Sequence, residues 1–228
     1  CASLAKGESK IHGVPKCDDV LATIDCLTSL GAKITYDGSY ATVIGADFKK
    51  SSAATALYCR ESGSTLRFLI PTALLSANEA VFTGAPRLIE RPHGGYENLC
   101  KERGLLLENS DGKITVKGPL TSGEYRLRGD VSSQFITGLL FALPTLQGDS
   151  KIVLTTKVES RSYIALTLSA MESFGVYAEW TDERTIFIRG SQKYKACDIA
   201  VSRVERNTAH GGTFFLAAIS SGKGKLKY

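Results

Sequence analysis

With 228 residues, 43% apolar and 22% charged, the chain is long and apolar enough to bury one sizeable core. Its 28 basic and 23 acidic side chains leave a net charge of +5, with no long run of one sign and no basic stripe interleaved with aromatics; this argues against nucleic acid and for a small anionic ligand. The longest apolar stretch, 135–146, is a dozen residues with Pro144 inside it, too short for a membrane span, so no membrane partner is expected.

In chain order, residues 1–5 read as the tail of a helix and Gly7-Glu-Ser-Lys-Ile11 as a strand. Val20, Ile24, Leu27 and Leu30 then fall at helical spacing and stop at Gly31, a residue suited to a left-handed cap. Ala32-Lys-Ile-Thr-Tyr36 and Tyr40-Ala-Thr-Val-Ile44 flank Asp37-Gly38, a strong hairpin signal, and Gly45 closes the run. A second passage reads as a helix at 64–75, a strand Ala80-Val-Phe-Thr83, and a helix ending at Gly104. Leu105-Leu-Leu-Glu-Asn109 and Lys113-Ile-Thr-Val-Lys117 follow around Asp111-Gly112, and Gly118 closes. The third has a helix at 133–146, then Gly148-Asp-Ser-Lys-Ile152, which matches the first strand, and a helix to Gly175. Val176-Tyr-Ala-Glu-Trp180 and Thr185-Ile-Phe-Ile-Arg189 close on Gly190.

The paired glycines are 14, 14 and 15 residues apart, and the units recur every 71 to 73 residues. Such a period marks an internal repeat. The expected fold is therefore mixed α/β (α+β): three β-α-β-α-β-β units packed around a common helical core, the first copy beginning mid-element. Residues 1–200 are expected to form this domain. Residues 201–228 are expected to be a crossing segment and the start of a second domain, with a helix at 208–221.

Six cysteines include no CxxC pair and have no His at metal spacing, so a reduced, cytoplasmic chain with no metal is expected. Chemistry is sought at the helix starts. Glu61-Ser-Gly-Ser-Thr-Leu-Arg67 and Gly129-Asp-Val-Ser-Ser-Gln134 occupy matching places in two copies and offer free amides and hydroxyls, which suit an anion. The alternative is that these serines and threonines are ordinary N-caps. Arg87 and Arg91, four apart and flanked by prolines, form stiff guanidinium forks for phosphate or carboxylate, or else pair with Glu90 at the surface. Ser160-Arg-Ser-Tyr163 precedes a helix in the third copy, where Tyr163 binds or simply packs.

Four ordered segments, Glu61-Ser-Gly-Ser-Thr-Leu-Arg-Phe68, Pro86-Arg-Leu-Ile-Glu-Arg-Pro92, Val131-Ser-Ser-Gln-Phe135 and Ser160-Arg-Ser-Tyr-Ile164, resemble the 5-enolpyruvylshikimate-3-phosphate synthase family; Met171-Glu-Ser-Phe-Gly-Val176 fits too. The resemblance implies a two-domain enzyme that joins the enolpyruvyl group of phosphoenolpyruvate to the 5-hydroxyl of shikimate 3-phosphate and releases phosphate, without a metal or organic cofactor. Carried over, it puts Ser132, Ser133, Gln134, Ser160 and Tyr163 on shikimate 3-phosphate. Gly63 and Arg91 fall on the phosphoenolpyruvate side, with Gln134 reaching both ligands and Arg67 bracing the Gly63 turn.

The family's lysine-bearing segment before residue 1 is absent, and its acid/base carboxylates belong to a C-terminal domain that 228 residues do not hold. No catalytic residue is therefore expected in this chain, which should bind substrate without turnover. Around Val204-Glu-Arg-Asn207 the resemblance decays. Two other readings are a UDP-N-acetylglucosamine enolpyruvyl transferase and a non-catalytic anion-binding module of the same fold.

Overall fold

The computed structural model describes residues 1–50, 54–130, 132–207 and 214–219, with side chains up to residue 200. The first copy consists of a 3-10 turn at Ala2–Leu4, β1 (Glu8–His12), α1 (Asp18–Ser29), β2 (Lys33–Tyr36) and β3 (Tyr40–Ile44). The second is complete: β4 (Thr55–Tyr58), α2 (Gly63–Ala73), β5 (Glu79–Thr83), a short α3 (Pro86–Ile89), α4 (Gly94–Glu102), β6 (Leu106–Ser110) and β7 (Lys113–Lys117). The third has β8 (Gly123–Leu127), α5 (Gln134–Ala142) with a 3-10 turn at Leu143–Thr145, β9 (Ser150–Leu154), α6 (Arg161–Ser173), β10 (Ala178–Trp180) and β11 (Thr185–Ile188). Two more strands follow, β12 (Asp198–Asn207) and β13 (Phe214–Ile219).

These strands form three mixed sheets, as the repeat predicts. In β4-β5-β7-β6 and in β8-β9-β11-β10 the first pair is parallel and the rest antiparallel. The remaining sheet runs β13-β12-β1-β3-β2. Here β12 lies parallel to β1, with Lys10 opposite Asp198 and Ile11 opposite Ile199, and so holds the place that β4 and β8 hold in theirs. Beyond residue 200, β12 pairs with β13 instead. The helix expected at 208–221 is corrected for its described part, because 214–219 is a strand. Phe-Phe-Leu-Ala-Ala-Ile is a short apolar run of ambiguous period, and the edge of β12 decides it. Residues 208–213 and 220–221 of that expectation lie outside the described residues.

The two glycines of each unit have different reasons. Gly31, Gly104 and Gly175 end α1, α4 and α6 at φ of +114°, +65° and +72°, which an L side chain resists. Gly45, Gly118 and Gly190 have no such φ. A Cβ there would overlap the carbonyl oxygens of Ala5, Leu74 and Gly148, the segment that leaves the inner helix of the same copy. The hairpins close as their turn residues dictate. Asp37 Oδ1 accepts from the amides of Ser39 and Tyr40 at 2.9 and 2.7 Å, and Asp111-Gly112 adopts positive φ at both positions.

The inner helices α2 and α5 pack against each other, and their Leu66, Leu69, Ile70, Ile136, Leu139 and Leu140 are all buried. Pro71 sits inside α2 and has no N–H for the Arg67 carbonyl four residues back. Tyr96 of α4 replaces it: the fully buried hydroxyl lies 2.8 Å from the carbonyl oxygens of both Arg67 and Phe135, tying the start of α5 to the middle of α2. Gly138 lets the helices approach, since its Cβ would stand 2.5 Å from the Arg67 oxygen.

Candidate functional site

Repeat geometry brings the starts of the helices to one place. A cavity of about 570 Å³ lies among α1, α2, α5, α6 and the first sheet. Its floor is apolar, with Ile11, Val20, Leu27 and Val43 from the first copy and an edge-to-face pair of Phe68 and Phe141, ring centroids 5.8 Å apart. Helix starts supply much of the polar lining, with Asp19 of α1, Ser64 of α2, Ser132, Ser133 and Gln134 at α5, and Ser160 and Tyr163 at α6; threonine hydroxyls along the helices add to it. All five residues expected on one ligand line this cavity. Val131 of that motif lies outside the described residues.

The two helix starts that look alike in sequence are finished differently. At α2 the Ser62 hydroxyl accepts from the Thr65 amide at 3.2 Å, so Ser62 is an ordinary N-cap. The amides of Gly63 and Ser64 keep no acceptor among the described residues. At α5 the cap position is Ser133, whose hydroxyl makes no capping bond, while Ser132 Oγ accepts the Gln134 amide at 3.3 Å. Threonine pairs finish the inner face: the hydroxyl oxygens of the buried Thr137 and Thr167 lie 2.8 Å apart, and those of the half-buried Thr23 and the buried Thr65 lie 2.7 Å apart.

Gly63 and Arg91 are not on the cavity wall but adjoin it. A Cβ on Gly63 would stand 3.1 Å from Arg91 Nη1 and 3.9 Å from Arg67 Nη1, so Gly63 sits between two guanidiniums. No ion pair among the described residues involves Arg67, Arg87 or Arg91, and Glu90 pairs with none of them. Of the acidic residues at the start and middle of α1, Asp25 and Asp18 pair with Arg60 at 2.8 and 3.5 Å, whereas Asp19 lines the cavity and makes no ion pair among the described residues. Arg67, expected to brace the Gly63 turn, donates from Nη1 to Gln134 Oε1 at 2.8 Å and lies 5.1 Å from the Phe135 ring centroid. That bond joins the cation pair to the hydroxyl wall.

His93 was not singled out from the sequence, because a lone histidine ahead of a helix carries no local signal. It is fully buried at the start of α4, and burial, then Arg67 and Arg91, hold its imidazole down to about 4. Its two ring nitrogens and Arg67 Nε are the buried side-chain polar atoms without a partner among the described residues. Burial, then Arg91, likewise lowers the Arg67 guanidinium. Among the described residues no group of three or more His, Cys, Asp or Glu is placed to hold a metal. The arrangement can receive an anion between unpaired cations, beside a wall of hydroxyl donors.

A family model described as EPSP synthase (3-phosphoshikimate 1-carboxyvinyltransferase) matches residues 1–227. A 3-phosphoshikimate 1-carboxyvinyltransferase of Clostridium beijerinckii is 43% identical over 230 residues, covering 97% of this chain and 52% of the relative. The protein of the same name from Clostridium kluyveri is 44% identical over 200 residues, 87% of this chain and 47% of its own. Among solved structures, an EPSP synthase from Acinetobacter baumannii superposes with a TM-score of 0.72 over 87% of this chain and 45% of that one; at 20% identity this likeness carries the fold alone. The chain spans about half the length of the curated relatives it matches.

Proposed function

The chain belongs to the EPSP synthase family, and from that premise we propose that it forms the first half of a transferase that moves the enolpyruvyl group of phosphoenolpyruvate to the 5-hydroxyl of shikimate 3-phosphate. In this reading residues 1–200 are one domain and 201–228 lead toward a second. Ser132, Ser133, Ser160 and Tyr163 hold shikimate 3-phosphate. Arg91, with the Gly63 and Ser64 amides, holds an anionic group of phosphoenolpyruvate, and Gln134 stands between the two. The observation that carries the reading is the pair of guanidiniums flanking Gly63 without a carboxylate partner, joined through Gln134 to three serines lining one cavity.

Two anions brought together need opposing cations, oriented donors and exclusion of water, and these residues supply the first two. Addition across the enol double bond and elimination of phosphate also move protons, and this reading assigns the groups for that to a second domain. A cytoplasmic site goes with this reading, in keeping with six free cysteines. No helix among the described residues is long and apolar enough to cross a membrane.

Titration calorimetry with shikimate 3-phosphate tests the assignment. Wild-type chain binds saturably, and a Ser132→Ala, Ser133→Ala double variant loses roughly a hundredfold in affinity, the scale of two hydrogen bonds to a charged group. Unchanged binding by the folded variant, or phosphate release from this chain alone when both substrates are present, contradicts it.

A further inference from the structure

Gln134 is 5% exposed and meets the protein through its oxygen: Oε1 accepts from Arg67 Nη1 at 2.8 Å. A guanidinium donates and never accepts, so the atom facing it is the carbonyl oxygen and the amide nitrogen turns the other way. Gln134 lines the cavity, and Nε2 has no acceptor among the described residues, nor is it one of the sealed-off atoms. Arg67 is itself held in place. Its backbone carbonyl is tied by Tyr96, its charged end lies over Phe135, and no carboxylate draws it aside.

We propose that Arg67 is a positioning residue that fixes Gln134 with its amide NH2 toward the cavity, so that this side chain meets a bound anion as a donor. A glutamine free to turn over would present its oxygen half the time and repel what it should bind. The pairing fixes the polarity: a one-way donor behind the amide oxygen leaves the NH2 to donate to an acceptor in front of it, and the guanidiniums nearby favour that acceptor being an anion. Arg67 thus acts across the α2–α5 contact through another residue and touches no ligand. This inference rests on the reading of the cavity as an anion site, and the experiment separates the two.

The first measurement needs no ligand. In 15N-resolved spectra of the wild-type chain, an Arg67 Nη1 proton stands apart from the averaged guanidinium signals and disappears in Gln134→Leu. An averaged Arg67 signal already in the wild type overturns the lock. The second is a double-variant cycle read by titration with shikimate 3-phosphate. Arg67→Met and Gln134→Leu each weaken binding roughly tenfold, and together no more than Gln134→Leu alone, because one acts through the other. Losses that multiply overturn the proposal, since they give Arg67 a contact or a structural role of its own. Gln134→Glu keeps the Arg67 bond but turns a carboxylate oxygen to the anion, and binds at least tenfold worse than Gln134→Leu; equal or better binding overturns it. If the wild-type chain binds no shikimate 3-phosphate, the anion-site reading fails, and the lock stands or falls on the spectra.

Discussion

The first turns of α2 and α5 occupy the same place in successive copies, and they differ in what their serines do. Ser62 spends its hydroxyl on the Thr65 amide, and the charge near α2 comes from Arg67 and Arg91. Ser133 caps nothing, and at α5 the neutral donors Ser132, Ser133 and Gln134 face the cavity. Within the repeat the two starts are finished differently: a serine cap with two guanidiniums beside it at α2, neutral donors at α5. The backbone site is shared, and both starts reach the cavity; side-chain commitment decides which first serine is a cap and which is left uncommitted.

That contrast depends on the two helices being clamped, and breaking the clamp has the largest expected effect. Gly138→Ala puts a methyl 2.5 Å from the Arg67 carbonyl oxygen and destabilises by about 3 kcal/mol, as overpacking of a rigid contact does. Denaturant unfolding reads this, and a loss under about 0.5 kcal/mol means that the helices slide freely.

A smaller effect comes from the cationic side alone. Folded His93 titrates at about 4 and the unfolded residue near 6.5, so between those values the unfolded state binds more protons. Stability therefore falls as pH drops from about 6.5 to about 4, by on the order of 2 kcal/mol, a slope absent in His93→Leu. Identical pH profiles for wild type and variant place the histidine in water rather than between the arginines.

Tyr96→Phe removes the donor that replaces the one missing at Pro71 and costs about 1–2 kcal/mol, because a buried carbonyl loses its partner. Smallest, and sharpest for the comparison, is the serine pair. Ser62→Ala costs about 1 kcal/mol as a lost cap, while Ser133→Ala changes thermal stability by less than about 0.5 kcal/mol. Equal costs at the two positions remove the distinction.

Much of this fold is legible locally. The hairpins follow from Asp37-Gly38 and Asp111-Gly112, and the helix ends from Gly31, Gly104 and Gly175, because turns and caps are decided within a few residues. The second glycine of each unit is visible as a pattern, but its reason, a carbonyl from the inner-helix segment, needs the packed structure. Pairing of β1 with β12 joins Lys10 to Asp198, and no short-range signal specifies so distant a partner. The same distance hid the strand at 214–219, where a run that reads as helix takes the edge of β12. At the site, the serines and Gly63 stand out by matching repeat positions. Arg67 and Gln134 lie on different helices, and His93 is marked by burial alone, so their relation appears only once α2 and α5 touch.

A crystal structure of this chain with shikimate 3-phosphate decides whether the cavity is the binding site. The phosphate is expected within about 3 Å of the hydroxyls of Ser132, Ser133 and Ser160, with Gln134 Nε2 donating into the same cavity. Ligand bound at saturating concentration away from that wall would contradict it.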